Sequence, residues 1–247
     1  MTPMATALAP LVGQVEIHSR TGENAPCQAQ QGKVFCLDWA IDNFDRYTTP
    51  LLNQLLLVLI AVAIGFVVAF AFAVLSHRQR WLIPTFTAAT GVLYTIPSLA
   101  FIFLLLPITG LGWETAIIVL SVYTLQIIYR NIVAGLNNVP PESKDAGRGM
   151  GMTDRQLLWR VELPLALPEI IAGLRIATVS TVAISTLMVF ANVNTLGQPL
   201  YQQIDFKTNI VIAGGLSILM AIVLDVMLLL AQRLLAPWRK PSMEAMT

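Results

Sequence analysis

Two ionisable residues, Arg175 and Asp225, lie within long apolar stretches of the sequence. Keeping a charged aspartate at the centre of a membrane helix costs about 2.5–3.5 kcal/mol, so such a residue needs a partner or a function. Counted at about 1.5 Å per residue, Arg175 and Asp225 lie about 10 and 15 Å from the same end of their helices. This predicts a buried ion pair between two helices. The alternative is a proton relay through Asp225, which usually needs a second titratable group.

A second polar group surrounds a proline in another apolar stretch and consists of Tyr94, Thr95, Pro97 and Ser98. A proline inside a helix frees a backbone carbonyl, which a membrane tolerates where the backbone lines a cavity. These four residues are therefore predicted to line a cavity within the membrane, which would be the translocation path if the chain is a transporter. The alternative is simple packing against lipid or a neighbouring helix.

One long polar segment, 137–168, interrupts the apolar stretches. Pro141 suits the first turn of a helix, since its missing N–H would be unpaired there anyway. Gly151 provides the backbone freedom for a sharp turn. Thr153 and Gln156 match the capping box that begins a helix. The segment is therefore predicted to form two short helices around a glycine hinge.

The second of these helices carries Leu157, Leu158 and Val161 at roughly helical spacing, and Pro164 is predicted to end it. Its apolar face could lie in a groove of a partner protein. The alternative is an interfacial helix whose basic residues contact lipid headgroups.

The composition is that of a membrane protein. Hydrophobic residues make up 56% of the 247 residues, charged residues 12%, and the mean hydropathy is +0.70, whereas soluble domains carry about 25% charged residues. Five stretches approach or exceed the roughly 20 apolar residues that a membrane helix needs. The predicted fold is an all-α polytopic membrane protein with an N-terminal tail (1–50), a transmembrane domain (51–236) and a C-terminal tail (237–247). Its predicted transmembrane helices cover about 51–75, 82–108, 115–130, 169–190 and 210–235.

The distribution of charge predicts the orientation. If the N-terminus is outside and the C-terminus inside, most of the 15 basic residues fall on the inner side, as the positive-inside rule requires. Segment 137–168 is then cytoplasmic. The net charge of +1 gives no reason to expect a nucleic-acid partner.

The spacing within segment 137–168 resembles the loop E-A-A-x3-G-x9-I-x-L-P of ABC importer permeases. In those proteins the loop docks onto the ATPase subunit, and the resemblance implies the same role here. Asp, Gly and Val replace the first Glu, the second Ala and the Ile of that pattern. The matching residues are Asp145, Ala146, Gly147, Gly151, Val161, Leu163 and Pro164.

Three further segments, 95–100, 146–153 and 159–168, are similar to the permeases for glycine betaine, choline, carnitine and related osmoprotectants. The likeness covers about 51–235. Segment 191–197 departs from it, because that group shows a glycine-richer sequence there, and the exact substrate is therefore left open.

The resemblance implies a multi-pass permease subunit of a type I ABC importer in a bacterial inner membrane. Two such subunits, identical or paralogous, would enclose one path within the lipid. Two separate ATPase subunits would bind the loops and use the ATP, and an external solute-binding protein would deliver the substrate. This chain would bind no cofactor itself.

Motifs for catalysis or metal binding are absent from the sequence. It contains no G-x-x-x-x-G-K-[ST], H-E-x-x-H or C-x-x-C. His18 and His77 fall on opposite sides of the predicted membrane. We therefore predict no enzymatic activity, no catalytic residue and no metal site.

The N-terminal tail contains one amphipathic stretch, 35–47, with Ile41 and Phe44 on its apolar side. It is predicted to be a surface helix that leads into the first transmembrane helix; contact with a substrate-delivery protein is the alternative. Cys27 and Cys36 would face an oxidising compartment, which permits a disulfide between them.

Two other functions remain open from the sequence. An ion-coupled secondary transporter would use Asp225 as the coupling acid and need no ATPase, although the chain lacks repeat symmetry. A membrane anchor or assembly factor would leave the Pro97 kink and the charges within the helices unexplained.

Overall fold

The computed structural model describes residues 36–79, 81–202 and 207–236, and the regular structure within these ranges is entirely helical. The helical structure includes a π-helical turn (Leu158–Glu162) and a 3-10 segment (Thr186–Ala191). In chain order the helices are α1 (Leu37–Asp42), α2 (Asp45–Arg78), α3 (Leu82–Thr95), α4 (Ser98–Thr109), α5 (Trp113–Asn137), α6 (Pro141–Gly149), α7 (Asp154–Leu157), α8 (Leu163–Ser185), α9 (Gly197–Gln202) and α10 (Lys207–Leu235).

Four helical stretches are long and apolar enough to cross a membrane: α2, α5, the run Asp154–Ala191 that contains α8, and α10. The pair α3 and α4 forms a fifth candidate, bent by 94°. The predicted all-α fold is therefore confirmed, with four or five candidate membrane-spanning helices.

Helix α5 lies at the centre of the bundle, between α2 and α8. Half of the residues in its most apolar 18-residue stretch are buried, whereas only 11% are buried in the corresponding stretch of α10. The buried side chains of α5 contribute to two apolar clusters. Ile128, Tyr129 and Ile132 belong to the cluster nearer the polar loop, and Val119 and Leu120 belong to the other. The apolar surface that α10 leaves uncovered is suited to lipid or to another protein.

The helix predicted over 82–108 is broken rather than kinked. Ile96 and Pro97 are both extended, with ψ of 125° and 132°. Proline disfavours the helical conformation for the residue before it, which explains why the chain leaves the helix at Ile96. The carbonyl of Ile96, at this break, accepts a hydrogen bond from the hydroxyl of Tyr123 on α5.

The amphipathic stretch near the N-terminus is shorter as a helix than predicted. It forms α1, which ends before α2 begins at Asp45. Trp39 and Ala40 are buried against the bundle, whereas Ile41 and Phe44 are 66% and 48% exposed. The role of this exposed apolar side stays a prediction.

The two cysteines are only partly described. Cys36 is disulfide-bonded, and Cys27 lies outside the described residues. The pairing of Cys27 with Cys36 therefore stays a prediction.

The close approach of α2 and α5 at Gly65 generates a stability prediction. A Cβ atom at position 65 would lie 2.8 Å from the Cβ of Thr124 and 3.2 Å from the carbonyl oxygen of Ser121. Gly65→Ala should therefore destabilise the bundle by about 1–3 kcal/mol through overpacking, despite the better helix propensity of alanine. Thermal unfolding of the purified protein in detergent measures the effect.

Gly91→Ala is the matched control, because it is also a glycine-to-alanine change within a helix. Its nearest neighbour, Nε2 of Gln126, would be at an ordinary 3.7 Å. An equal melting temperature for the two variants would contradict the close packing of α2 on α5.

Candidate functional site: the polar loop, the broken helix and the ion pair

The first helix of the polar loop, α6, has well-defined ends. Pro141 occupies its first turn, as predicted from its missing N–H. At the other end the N–H of Met152 donates to the carbonyl of Gly147 (3.2 Å) and that of Gly151 to the carbonyl of Arg148 (2.9 Å). Gly151 has φ of +77°. This is a Schellman motif, in which glycine supplies the left-handed residue that closes the helix.

The second loop helix, α7, begins with the predicted capping box. The backbone N–H of Thr153 donates to Oε1 of Gln156 (2.9 Å), and the backbone N–H of Gln156 donates to Oγ1 of Thr153 (3.4 Å). These two bonds pair N–H groups that have no partner within the helix. The hinge and both helix starts are thus set by local chemistry.

Pro164 does not end the second loop helix, and that prediction was wrong. The chain continues from Asp154 to Ala191 as one helical run. The π-helical turn Leu158–Glu162 precedes Pro164, which takes an early position of α8, where the missing N–H of a proline is tolerated. The polar loop is therefore mechanically continuous with a membrane-spanning helix.

The apolar side of the second loop helix faces its own chain rather than a partner. Leu157 and Leu158 are 2% and 3% exposed, and Leu158 belongs to the core cluster shared with α2, α5 and α8. A Cβ at Gly147 would lie 2.6 Å from Cδ1 of Leu157, so the two loop helices pack closely there. The expectation that this face binds a partner groove is therefore wrong.

The structure divides the matched loop residues into two groups. Asp145, Ala146 and Gly151 are exposed on α6 and its turn, whereas the other four take part in packing or lie half-buried. Two large apolar side chains are also exposed, Met150 (70%) and Trp159 (51%). The exposed residues of the matched pattern thus lie on α6 and the turn that follows.

Side chains at the break between α3 and α4 are open to their surroundings. Tyr94, Thr95 and Pro97 are exposed and Ser98 is half-buried. The Tyr94 ring lies 5.5 Å from the ring of Tyr123, in an edge-on arrangement. An exposed aromatic face next to interrupted backbone can contact a passing cation, and it can equally contact lipid.

The structure brings Arg175 and Asp225 together across α8 and α10. Nε of Arg175 donates to Oδ1 of Asp225 (2.8 Å), and Nη2 donates to Oδ2 (2.7 Å). Such a two-bond contact fixes orientation as well as distance. Both side chains keep part of their surface open, 27% and 31%, so the pair lies at the edge of the bundle rather than in its centre.

Sequence reasoning missed two buried polar residues. Gln54 is fully buried; its side-chain amide donates to the carbonyl of Val182 (3.3 Å) and accepts from the N–H of Leu196 (3.0 Å). Glu162 is 3% exposed. The sequence contains a signal for each. Gln54 lies within an apolar run, and Glu162 follows Leu158 by four residues, which places Glu162 and Leu158 on the same side of a helix.

Within the described ranges, no cluster of three or more His, Cys, Asp or Glu side chains is arranged to hold a metal ion. The candidate functional features of the described residues are the projecting loop, the broken helix and the ion pair of Arg175 with Asp225. Those features are suited to moving a solute across a membrane.

Comparison with known proteins supports this reading. The family model for the "binding-protein-dependent transport system inner membrane component" matches residues 61–241. The osmoprotectant import permease protein OsmW of Salmonella typhimurium is 34% identical over 208 residues, covering 81% of this chain and 97% of that protein. The glycine betaine/carnitine/choline transport system permease protein OpuCD of Bacillus subtilis is 36% identical over 177 residues, covering 70% and 77%.

Solved structures share the fold. One chain of the MetNI methionine ABC transporter, in an inward-facing conformation, superposes with a TM-score of 0.66 at 22% identity, covering 78% of this chain and 96% of that one. An amino acid ABC transporter crystallised with histidines gives a TM-score of 0.68 at 19% identity, covering 78% and 95%.

The fold and the loop together define a membrane transport permease of the ABC importer class. The chain belongs to the family of binding-protein-dependent transport system inner membrane components. The resemblance seen in its sequence is thereby confirmed.

The pair of Arg175 and Asp225 generates a double-mutant prediction. Arg175→Asp and Asp225→Arg should each lower the amount and thermal stability of folded protein, because each places two like charges side by side. The combined swap should recover much of the loss, with a coupling of about 0.5–3 kcal/mol. A value near the lower end is expected, since both side chains are partly exposed. Melting temperatures of the four proteins give the coupling, and additive losses would show that the contact contributes nothing.

Proposed function

We propose that this chain is the translocating subunit of an ATP-driven importer and that α6 with its turn is the surface that engages a separate ATPase. The single observation that carries this is the loop itself. It exposes Asp145, Ala146 and Met150 on α6 and its turn, and its second helix, α7, continues without a break into a membrane-spanning helix. A motion imposed on the loop would thus reach the bundle directly.

The proposed orientation places the N-terminus outside and the C-terminus inside, in a bacterial cell membrane. It is supported by the excess of basic residues on the loop side of the bundle. The loop would then face the cytoplasm, where ATP is available. The chain itself would have no catalytic activity and no bound cofactor, and ATP would be used only by the partner subunits.

A second permease subunit and an external solute-binding protein complete the proposed assembly. A cavity of about 470 Å³ lies between α8 and α10, lined by apolar side chains such as Val179, Ile218 and Ile222. Together with the exposed face of α10, it supports a second subunit, identical or paralogous, as the neighbour. Lipid would cover the remaining apolar surface.

Quaternary-ammonium osmoprotectants such as choline, glycine betaine and carnitine are the proposed solutes. The names of the relatives support this choice. Tyr94 supports it physically, because its exposed ring at the break could offer a cation–π contact along the path.

Ion-coupled transport through Asp225 is less well supported. The carboxylate makes two hydrogen bonds with a guanidinium group that stays charged. An aspartate held in this way is a poor proton carrier, since protonation would have to break the pair.

Co-purification tests the role of the loop. Proline fixes φ near −65° and lacks an N–H, whereas position 151 has φ of +77° and donates to the carbonyl of Arg148. Gly151→Pro should therefore strain the turn by about 1–3 kcal/mol. The amount of P-loop ATPase recovered with this variant should fall about tenfold relative to wild type.

Gly110→Pro is the control for this experiment, because position 110 has φ of +75° and donates to the carbonyl of Leu106, but lies before α5 at the end of that helix away from the loop. It should retain the ATPase. Wild-type permease that purifies folded but without any ATPase would sink the importer proposal and favour the ion-coupled alternative.

Uptake kinetics test the solute. Tyr94→Leu should raise the KM for radiolabelled choline by roughly 2- to 30-fold, the range of a lost cation–π contact. Tyr94→Phe keeps a ring and should stay within about twofold of wild type. An unchanged KM in Tyr94→Leu would remove Tyr94 from the path without touching the role of the loop.

A further inference from the structure

Glu162 is a buried carboxylate at the junction of the loop and the membrane bundle. It is the last residue of the π-helical turn that joins α7 to α8, and only 3% of its surface is exposed. Its sequence neighbour Leu163 and the preceding Leu158 are buried in the core. A charge in such a place is costly unless other charges or donors surround it.

Two basic side chains from other elements converge on Glu162. Nε2 of His77, at the end of α2, lies 3.0 Å from Oε2, and Nζ of Lys144, on α6, lies 4.0 Å from Oε1. Oε2 has no aligned hydrogen-bond donor within the described part of the chain. These contacts are therefore electrostatic, and His77 contributes a charge only when protonated.

Lys144 extends the connection to a third helix. Its Nζ also donates a hydrogen bond to the carbonyl oxygen of Leu136 in the last turn of α5 (3.1 Å). A lysine in this position pairs a carbonyl that the helix itself leaves without a partner. Through Glu162 and Lys144, the loop helix α6 is thus tied to the ends of α2 and α5 and to the start of α8.

Stability alone does not explain this arrangement. Replacing a buried ion pair by apolar residues of similar volume is often neutral or stabilising, so such pairs are weak evidence for a purely stabilising role. What they provide is a defined relative position, because a displaced partner leaves a buried charge uncompensated. Energetic coupling between distant sites is carried by contacts of this type.

We propose that Glu162 is a positioning residue that makes α6 and the loop-side ends of α2, α5 and α8 move as one body during transport. This inference rests on the proposed importer function. In this proposal the buried carboxylate of Glu162, which lies behind the docking surface, transmits the movement, whereas the docking surface itself only binds the ATPase.

The test measures ATP hydrolysis and radiolabelled choline uptake in the same proteoliposomes, using the complex that co-purifies with the permease. In Glu162→Gln, hydrolysis should stay within about twofold of wild type, while uptake per ATP hydrolysed should fall about fivefold or more. A merely structural role would lower both activities together and leave their ratio unchanged.

Glu114→Gln is the matched control, since it makes the same change at an exposed position in the first turn of α5, at the end of that helix away from the loop, and its ratio should equal that of wild type. If Glu162→Gln does not assemble, uptake per ATP hydrolysed is measured in Lys144→Met instead, because this variant removes the cation and leaves the carboxylate. The same fall in that ratio is expected. An unchanged ratio in the assembled variant overturns the role of Glu162. Wild-type vesicles without ATP-driven uptake would instead refute the importer function on which the inference rests.

Discussion

Every backbone N–H and C=O group within an apolar environment needs a hydrogen-bond partner, and this constraint explains the polar contacts made where the helices of the bundle break. Where helices run unbroken, the backbone satisfies itself. Where they break, a side chain or a neighbouring backbone group intervenes. The hydroxyl of Tyr123 donates to the carbonyl of Ile96. The N–H of Gly112 donates to the carbonyl of Ala191 (2.8 Å), and the side-chain oxygen of Gln54 accepts from the N–H of Leu196. The two irregular segments of the bundle are therefore anchored to α2 and α5.

The same constraint explains why segment 191–197 needs little glycine. Asn192 takes the left-handed conformation, with φ of 60° and ψ of 32°, at the end of the 3-10 segment. Asparagine tolerates that region better than most residues, since its short polar side chain bonds locally. Asn53 on α2 then donates to the carbonyl of Asn194 (3.1 Å). An asparagine-rich turn thus replaces a glycine-rich one.

Local chemistry was readable from the sequence, and so was the contact of Arg175 with Asp225 between two helices, but other tertiary contacts were not. The Gly151 turn and the Thr153 capping box depend on residues within one turn of helix, so their prediction needs no knowledge of the fold. The break at Ile96 was predicted only as a kink, because Pro97 acts locally but the hydroxyl of Tyr123 comes from another helix. Glu162 escaped prediction for the same reason, since its two basic neighbours come from separate elements.

Helix α8 combines these features into one mechanical element. Helices in lipid gain little from hydrophobic association, so specific packing and polar contacts determine their relative positions. The run that contains α8 has such contacts at two levels: Glu162 faces α2 and α6 near the loop, and Arg175 holds Asp225 of α10 further along. Because the π-helical turn joins α7 to α8 without a flexible linker, the proposed movement of the loop would be transmitted along α8 and, through the contact of Arg175 with Asp225, to α10. The exposed face of α10 would then shift against the proposed second subunit.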